Sequence, residues 1–162
     1  MASPTIPAHR APGFVRLLNP LVHRLIGAGV PFGPNALLTV RGRSSGQPRT
    51  FPIAIVELDG RRYVQSPFGE VNWVRNLRAS GDAVLSRGRR RESVTAVELA
   101  PDVAGPLLQE VLGGYLRQRA GAAYLGRYYS VRADSPVEDF VEAAATHPVF
   151  ELLPEAGAAS SS

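Results

Sequence analysis

Eight consecutive residues, Gly42-Arg43-Ser44-Ser45-Gly46-Gln47-Pro48-Arg49, bring two cations, two hydroxyls and two glycines into one short stretch. The forked guanidinium groups of Arg43 and Arg49 match the oxygen spacing of a phosphate or carboxylate, and the serines add donors. Glycine at 42 and 46 lets the backbone reverse and approach a bound group closely. Apolar, β-branched runs at 37–40 and 50–56 flank the stretch, so a hairpin tip that holds an anion is expected; an ordinary solvated turn is the competing reading. The densest cationic run, Arg87-Gly88-Arg89-Arg90-Arg91, falls at another expected hairpin turn and reads as a solvated loop. All 18 basic residues are arginine and the net charge is +4, which implies an acidic partner. Nucleic acid, a phosphorylated or polycarboxylated small molecule and an anionic membrane face all satisfy that charge.

Other chemistries lack their residues. There is no cysteine, and His9, His23 and His147 are too scattered to form a zinc site, so no metal is expected. No Gly-x-Gly-x-x-Gly separates a strand from a helix, a phosphate loop is impossible without lysine, and no serine sits in a Gly-x-Ser-x-Gly elbow.

The elements that must position the anion hairpin are read from periodicity and turn residues. The 162 residues, 44% of them hydrophobic, fit one domain. Residues 1–13 read as disordered, 14–154 as the domain and 155–162 as a disordered tail. Asn19-Pro20 resembles a helix start, with Leu21, Val22, Leu25 and Ile26 on one face; this segment either packs on the barrel or lies on a membrane surface. Strands are expected at 36–41, 49–58 and 61–66, the last two joined at Asp59-Gly60. A short helix at 73–79, capped by Asn72, precedes strands at 83–86 and 91–99. A helix follows at 102–117, with Val103, Leu107, Leu108, Val111 and Leu112 inside and an irregular first turn at Gly105-Pro106. Ser135-Pro136-Val137-Glu138 has the form of a capping box opening a helix toward Thr146, and a strand closes the domain at 149–153. Short antiparallel strands with a central helix and late helices argue for a small barrel in the α+β, mainly β class.

Three places in this order resemble the deazaflavin-dependent nitroreductases, a branch of the split β-barrel flavin and deazaflavin oxidoreductases. Leu38-Thr39-Val40-Arg41-Gly42-Arg43-Ser44-Ser45-Gly46-Gln47-Pro48-Arg49-Thr50 is similar to that family's strand–Gly-Arg-x-Ser-Gly-x-x-Arg–strand signature. Val64-Gln65-Ser66-Pro67-Phe68-Gly69 sits where the family lines the deazaflavin ring, and Asn72-Trp73-Val74-Arg75-Asn76-Leu77-Arg78-Ala79 looks like its short helix. The resemblance covers residues 14–154, and the ending from Ser135 to Phe150 is similar to that of actinobacterial relatives.

The resemblance implies a single-domain split β-barrel, FMN-binding-like, with an N-terminal helix and peripheral helices. It implies a reductase using coenzyme F-420, a deazaflavin with a ribityl phosphate and polyglutamyl tail, to reduce a quinone, nitroaromatic or enone acceptor. Arg43 and Arg49 would pair with phosphate and tail carboxylates, with Ser44, Ser45 and Gly46 beside them. Ser44 stands where relatives often carry lysine or threonine; Arg41 would replace that charge only if it shares the site's face. Pro52 and Ile53 would wall the ring together with Ala54, which alternatively belongs with Ile53 to the barrel core. Ser66, Pro67, Phe68 and Gly69 would meet the ring's polar edge. Trp73 either lines the pocket or anchors its helix, and Asn76 and Arg78 either touch the tail or face water. Tyr124, Tyr128 and Tyr129 would supply a lid or proton donor, or pack as a surface loop. Two alternatives stand: an FMN-binding split-barrel reductase or F-420 carrier, and a non-enzymatic barrel that binds nucleic acid through its arginine hairpins. Under the enzyme reading the partner is a small-molecule acceptor and no nucleic acid is expected. The chain would be a monomer or homodimer in the cytoplasm, with the N-terminal helix as any contact to the inner membrane face.

Overall fold

The structure, a computed structural model, describes residues 35–156. The expected N-terminal helix, its membrane contact and the expected disordered first segment lie outside the described residues. Within them, the order is β1 (Ala36–Arg41), β2 (Pro48–Ile53), β3 (Ile55–Leu58), β4 (Arg61–Gln65), α1 (Asn72–Ser80), β5 (Asp82–Arg87), β6 (Arg90–Glu98), α2 (Pro101–Leu116), α3 (Arg119–Tyr129), α4 (Val137–Thr146) and β7 (Val149–Pro154).

All strand pairs are antiparallel, in the order β2-β1-β5-β6-β7-β4-β3. The outermost strands of that order, β2 and β3, are separated in sequence by Ala54 alone. One extended segment therefore forms both ends of the sheet, and the sheet must curl until those ends meet. Asn35 fastens the junction: its backbone N–H donates to Ile53 O at 3.0 Å, its Nδ2 to Ile55 O at 2.9 Å, and its Oδ1 accepts from Ile55 N at 2.8 Å. A side-chain amide thus replaces a neighbouring strand where the segment passes from β1 to β4.

Alternation sends Leu38, Val40, Val64, Leu85 and Val94 inward, where α1 plugs the curl with Trp73, Val74 and Leu77. A second core lies between α2, α3 and α4, built on Leu108, Leu112, Leu125, Tyr129 and Phe140. Gly105 permits the α2–α4 crossing, because a Cβ there would stand 2.4 Å from Val141 Cγ2. The result is an α+β, mainly antiparallel split half-barrel with four helices among the described residues.

Several local expectations are corrected. Val71 takes the N-cap position of α1 and makes no side-chain cap, while Asn72 is already helical. Pro136 occupies the N-cap of α4, and Ser135 Oγ instead accepts from Arg132 N at 3.0 Å, closing the preceding turn. Helix α2 starts at Pro101 and continues through Pro106, and Val103 is 56% exposed rather than inside. The tyrosine segment is the helix α3 rather than a loop. The β6–β7 ladder continues to Glu155, whose N–H donates to Ser93 O at 3.1 Å.

Strand direction divides the loops between two ends. The 42–47 turn, the 66–71 connection into α1 and the helical insertion after β6 all leave from one end. The two-residue turns after β3 and β5 lie at the other.

Candidate functional site

The turn between β1 and β2 is closed by Gly42 N to Gln47 O and Gly46 N to Gly42 O, both at 2.8 Å. Gly46 has φ +69°, a left-handed conformation that glycine adopts without cost. At Gly42 a Cβ would lie 2.9 Å from Ser45 Oγ and 3.1 Å from Gln47 O, so a side chain there would crowd the turn and displace the Ser45 hydroxyl. Ser45 Oγ accepts from Gln47 N at 3.3 Å.

Between this turn and α1 lies an open cavity of about 340 Å³ lined by Gly42, Arg43, Ser44, Ser45, Arg49, Phe51, Asn72 and Asn76. Its lining holds two guanidinium groups, two hydroxyls and two amides, and no carboxylate. Elsewhere several arginines are engaged by acids: Arg61 with Glu151, Arg62 with Glu92, Arg78 with Glu70 and Glu98, Arg87 with Glu57 and Arg132 with Asp134. Among the described residues no acid lies within ion-pair distance of Arg43 or Arg49. This donor set suits a phosphate or carboxylate.

Asn76 organises the site from below. It is only 4% exposed, and its Oδ1 accepts from Arg43 Nη1 at 2.8 Å and from Arg43 N at 3.3 Å. Both contacts fix the amide with oxygen toward Arg43, leaving its Nδ2 donors unengaged among the described residues. Arg41 pairs with Pro48, one step out of phase with the Val40–Arg49 pair. Strand alternation therefore sets Arg41 on the face opposite Arg49, away from this cavity.

The cavity's Asn72 opens α1, and the 66–70 segment leads directly into it. Ser66 is completely buried; its Oγ donates to Gly69 O at 2.6 Å and its N–H to Pro148 O at 3.0 Å. Gly69 has φ +74°, and a Cβ there would stand 3.3 Å from Thr146 O. Phe68 is 59% exposed and meets Tyr128 edge-on, with ring centroids 5.1 Å apart. Tyr129 is buried; its hydroxyl donates to Gln65 Oε1 at 2.9 Å, and its ring lies 4.5 Å from that of His147. His147 Nδ1 is 2.8 Å from Ala143 O, an acceptor, so that nitrogen carries a proton.

The structure thus brings Arg43, Ser44, Ser45, Arg49 and Asn76 around one cavity, with Gly46 in the turn, and gathers Ser66, Pro67, Phe68 and Gly69 near Tyr128 and Tyr129. Tyr124 lies on the same helix as those tyrosines. Trp73 packs into the barrel, 6.1 Å from Phe150. Ile53 is in the core, and Pro52, next to it on β2, is on the other face, so neither lines the cavity. Phe51 and Asn72 are cavity residues absent from the sequence-based set. Their signals were available: Phe51 is two residues from Arg49 on a strand, and Asn72 four from Asn76 on a helix. The 87–91 hairpin stands at the opposite end of the barrel from the 42–47 turn.

The fold and site together define an antiparallel split half-barrel with an acid-free, arginine-lined cavity at its elaborated end, a receptacle for an anionic ligand. The family model described as F420H(2)-dependent quinone reductase matches residues 18–123, and the chain belongs to that family. It is accordingly an F-420-dependent reductase. No match is found among curated proteins. Among solved structures, the chain is similar to an F420-H2 dependent reductase, FDR-A, at 20% identity and a TM-score of 0.46, covering 72% of this chain and 91% of that one. It is similar to an FAD-binding protein from Mesorhizobium loti at 14% identity and a TM-score of 0.45, covering 84% and 88%. A third similar structure is the protein Atu2129 from Agrobacterium tumefaciens, at 18% identity and a TM-score of 0.48, covering 96% of this chain and 60% of that one.

Proposed function

We propose that this chain passes a hydride from reduced F-420 to a small organic acceptor of the quinone, nitroaromatic or enone type, with the cofactor's anionic end in the 42–49 cavity. The observation carrying this reading is the pair Arg43 and Arg49, free of acid partners among the described residues in a cavity without carboxylates. When bound, reduced deazaflavin supplies the hydride from carbon five.

The residues divide the remaining work. Arg43 and Arg49 hold phosphate and tail carboxylates, Arg43 already aimed by Asn76, while Ser44, Ser45 and Asn72 donate neutral hydrogen bonds. Gly46 keeps the turn tight. The 66–69 segment forms the wall facing the ring, with Phe68 as its apolar surface. Tyr128, half-buried against Phe68, covers the acceptor and donates a proton or hydrogen bond as charge develops on the acceptor oxygen. Tyr129 supports it from inside, its hydroxyl directed to Gln65. Tyr124 belongs to the same lid helix, and Trp73 acts through the seating of α1.

A second reading, FMN in place of F-420, draws on Ser44: without a third cation the cavity's two arginines suit a single phosphate. Fluorescence titration of the purified full chain with F-420 and with FMN, followed by anaerobic turnover with a quinone and a nitroaromatic, separates the two. Tight binding of F-420 with acceptor-dependent oxidation is expected. Preferential binding of FMN, or F-420 binding without turnover on any acceptor, would replace the reductase proposal with the flavin or carrier reading.

A further inference from the structure

Arg78, in the last turn of α1, holds together parts of the chain that lie far apart in sequence. Its Nη1 donates to Glu70 Oε1 at 2.6 Å, while Nε and Nη2 engage both oxygens of Glu98, each at 2.7 Å. Glu98 ends β6 and is paired with Phe150 of the rigid sheet. Glu70 directly follows the 66–69 segment, which is tied at its start by the Ser66 N–H on Pro148 O and closed on itself by the Ser66 hydroxyl and the Gly69 N–H. Beyond Ser66, the Phe68–Tyr128 ring contact and the approach of Gly69 to the end of α4 hold it from outside, and Glu70 adds the ion pair. The segment's Phe68 is largely exposed. Isolated surface ion pairs contribute little, but here a guanidinium fixed bidentately on Glu98 presents its remaining nitrogen to one oxygen of Glu70, so the pair is part of a geometrically defined network. The fork cannot be reproduced by an ammonium group.

We propose that Arg78 is a positioning residue for hydride transfer: through Glu70 it ties the ring-facing segment to the end of β6 and fixes how the acceptor and the cofactor ring stack. This rests on the reading of 66–69 as the ring wall. Arg78 does not line the 42–49 cavity, so it sets the geometry of the reacting end while Arg43 and Arg49 set affinity.

The test compares Arg78→Gln, Arg78→Lys, Glu70→Gln and the double variant Arg78→Gln/Glu70→Gln in the full chain. Backbone hydrogen exchange of the 66–71 segment in the cofactor-free protein, F-420 affinity, the absorption spectrum of bound F-420, and turnover at saturating F-420 are measured. Arg78→Gln should speed exchange at 66–71, leave affinity near wild type, and lower turnover by roughly tenfold, a fraction of what an ångström of misplacement can cost. Lysine should fail to restore turnover. Glu70→Gln should reproduce the loss, and the double variant should be no worse than either single, as for one shared contact. Wild-type turnover in Arg78→Gln, losses that add in the double variant, or unchanged exchange at 66–71 would overturn the proposal. Phe68→Ala distinguishes the two levels. If it shifts the bound spectrum while Arg78→Gln changes nothing, the clamp fails and the wall stands; if neither variant alters spectrum or turnover, the wall reading itself fails.

Discussion

Removing Arg43 is the most direct perturbation of the cavity proposed to hold the cofactor's anionic end, and the energetics of charge-assisted hydrogen bonds give its scale. A hydrogen bond to a charged partner contributes about 1.5–3 kcal/mol, roughly a 10- to 150-fold change in dissociation constant. Arg43 lies at an exposed rim, so salt screening moves the expectation toward the lower half of that range. Its guanidinium is already held by Asn76 Oδ1 at 2.8 Å, so it loses little rotamer freedom on binding. Arg49 has no such anchor and must be ordered, at a cost of about 0.5–1.5 kcal/mol. Arg43→Ala should therefore weaken F-420 binding more than Arg49→Ala, by up to about tenfold if the whole ordering cost separates them. Fluorescence titration at fixed ionic strength reads both, with Arg89→Ser/Arg90→Ser/Arg91→Ser at the far end of the barrel as control. Unchanged affinity in Arg43→Ala, or an equal loss in the triple control, would refute the placement of the anion.

Tyr128→Phe should lower turnover while leaving F-420 affinity intact, whereas Tyr129→Phe should lower the melting temperature by removing its bond to Gln65; wild-type kinetics in the first would leave the lid without its donor. Gly121→Ala should destabilise by about 1–3 kcal/mol or more, the range for overpacking, because a Cβ there would stand 2.1 Å from the Tyr115 carbonyl oxygen; an unchanged denaturation midpoint would contradict the close α2–α3 crossing. Hydrogen bonding to Arg78 holds the Glu70 carboxyl below its ordinary value, so the stabilisation it brings is complete above that ordinary value and is lost as pH falls through the lowered one. The melting-temperature gap between wild type and Glu70→Gln should thus be present near neutrality and close in acid, and a gap that persists in strong acid would disprove the pairing.

What the sequence made legible was mostly local. Asp59-Gly60 announced its turn because both residues must take positive φ, and they do, at 51° and 74°. The 42–47 turn was legible for the same reason, since its glycines mark it without knowledge of anything distant, and Gly46 takes φ 69°. Helix α3 was obscured by Gly121 and Gly126, poor helix formers whose value appears only against Tyr115 across the α2 crossing and against Val131 O just past the end of α3 itself. Arg78 was undecidable, because its two acids lie 8 and 20 residues away. The role of Asn76 likewise depends on Arg43, 33 residues earlier. The single extended segment expected at 49–58 divides at Ala54 because Asn35 supplies hydrogen bonds there in place of a strand.

The density of charge along the chain is a poor guide to where chemistry sits, and the topology explains why. In an antiparallel barrel successive connections alternate between ends, so β1–β2, β4–α1–β5 and β6–β7 all cross at one end, whereas β3–β4 and β5–β6 cross at the other. Every described helix is inserted in a connection of the first set, and the second set holds only tight turns. A ligand held by the 42–47 turn can therefore be met by α1, by the 66–70 segment and by α3, while one held by the arginines at 89–91 would meet turns alone. On the proposed reading, two arginines separated by six positions outweigh the denser run because the fold brings the neutral donors Ser44, Ser45, Asn72 and Asn76 to their cavity and inserts its helices at their end of the barrel. That division also separates affinity from turnover: substitutions around Arg43 should act on the first, and those around Glu70, Arg78 and Tyr128 on the second.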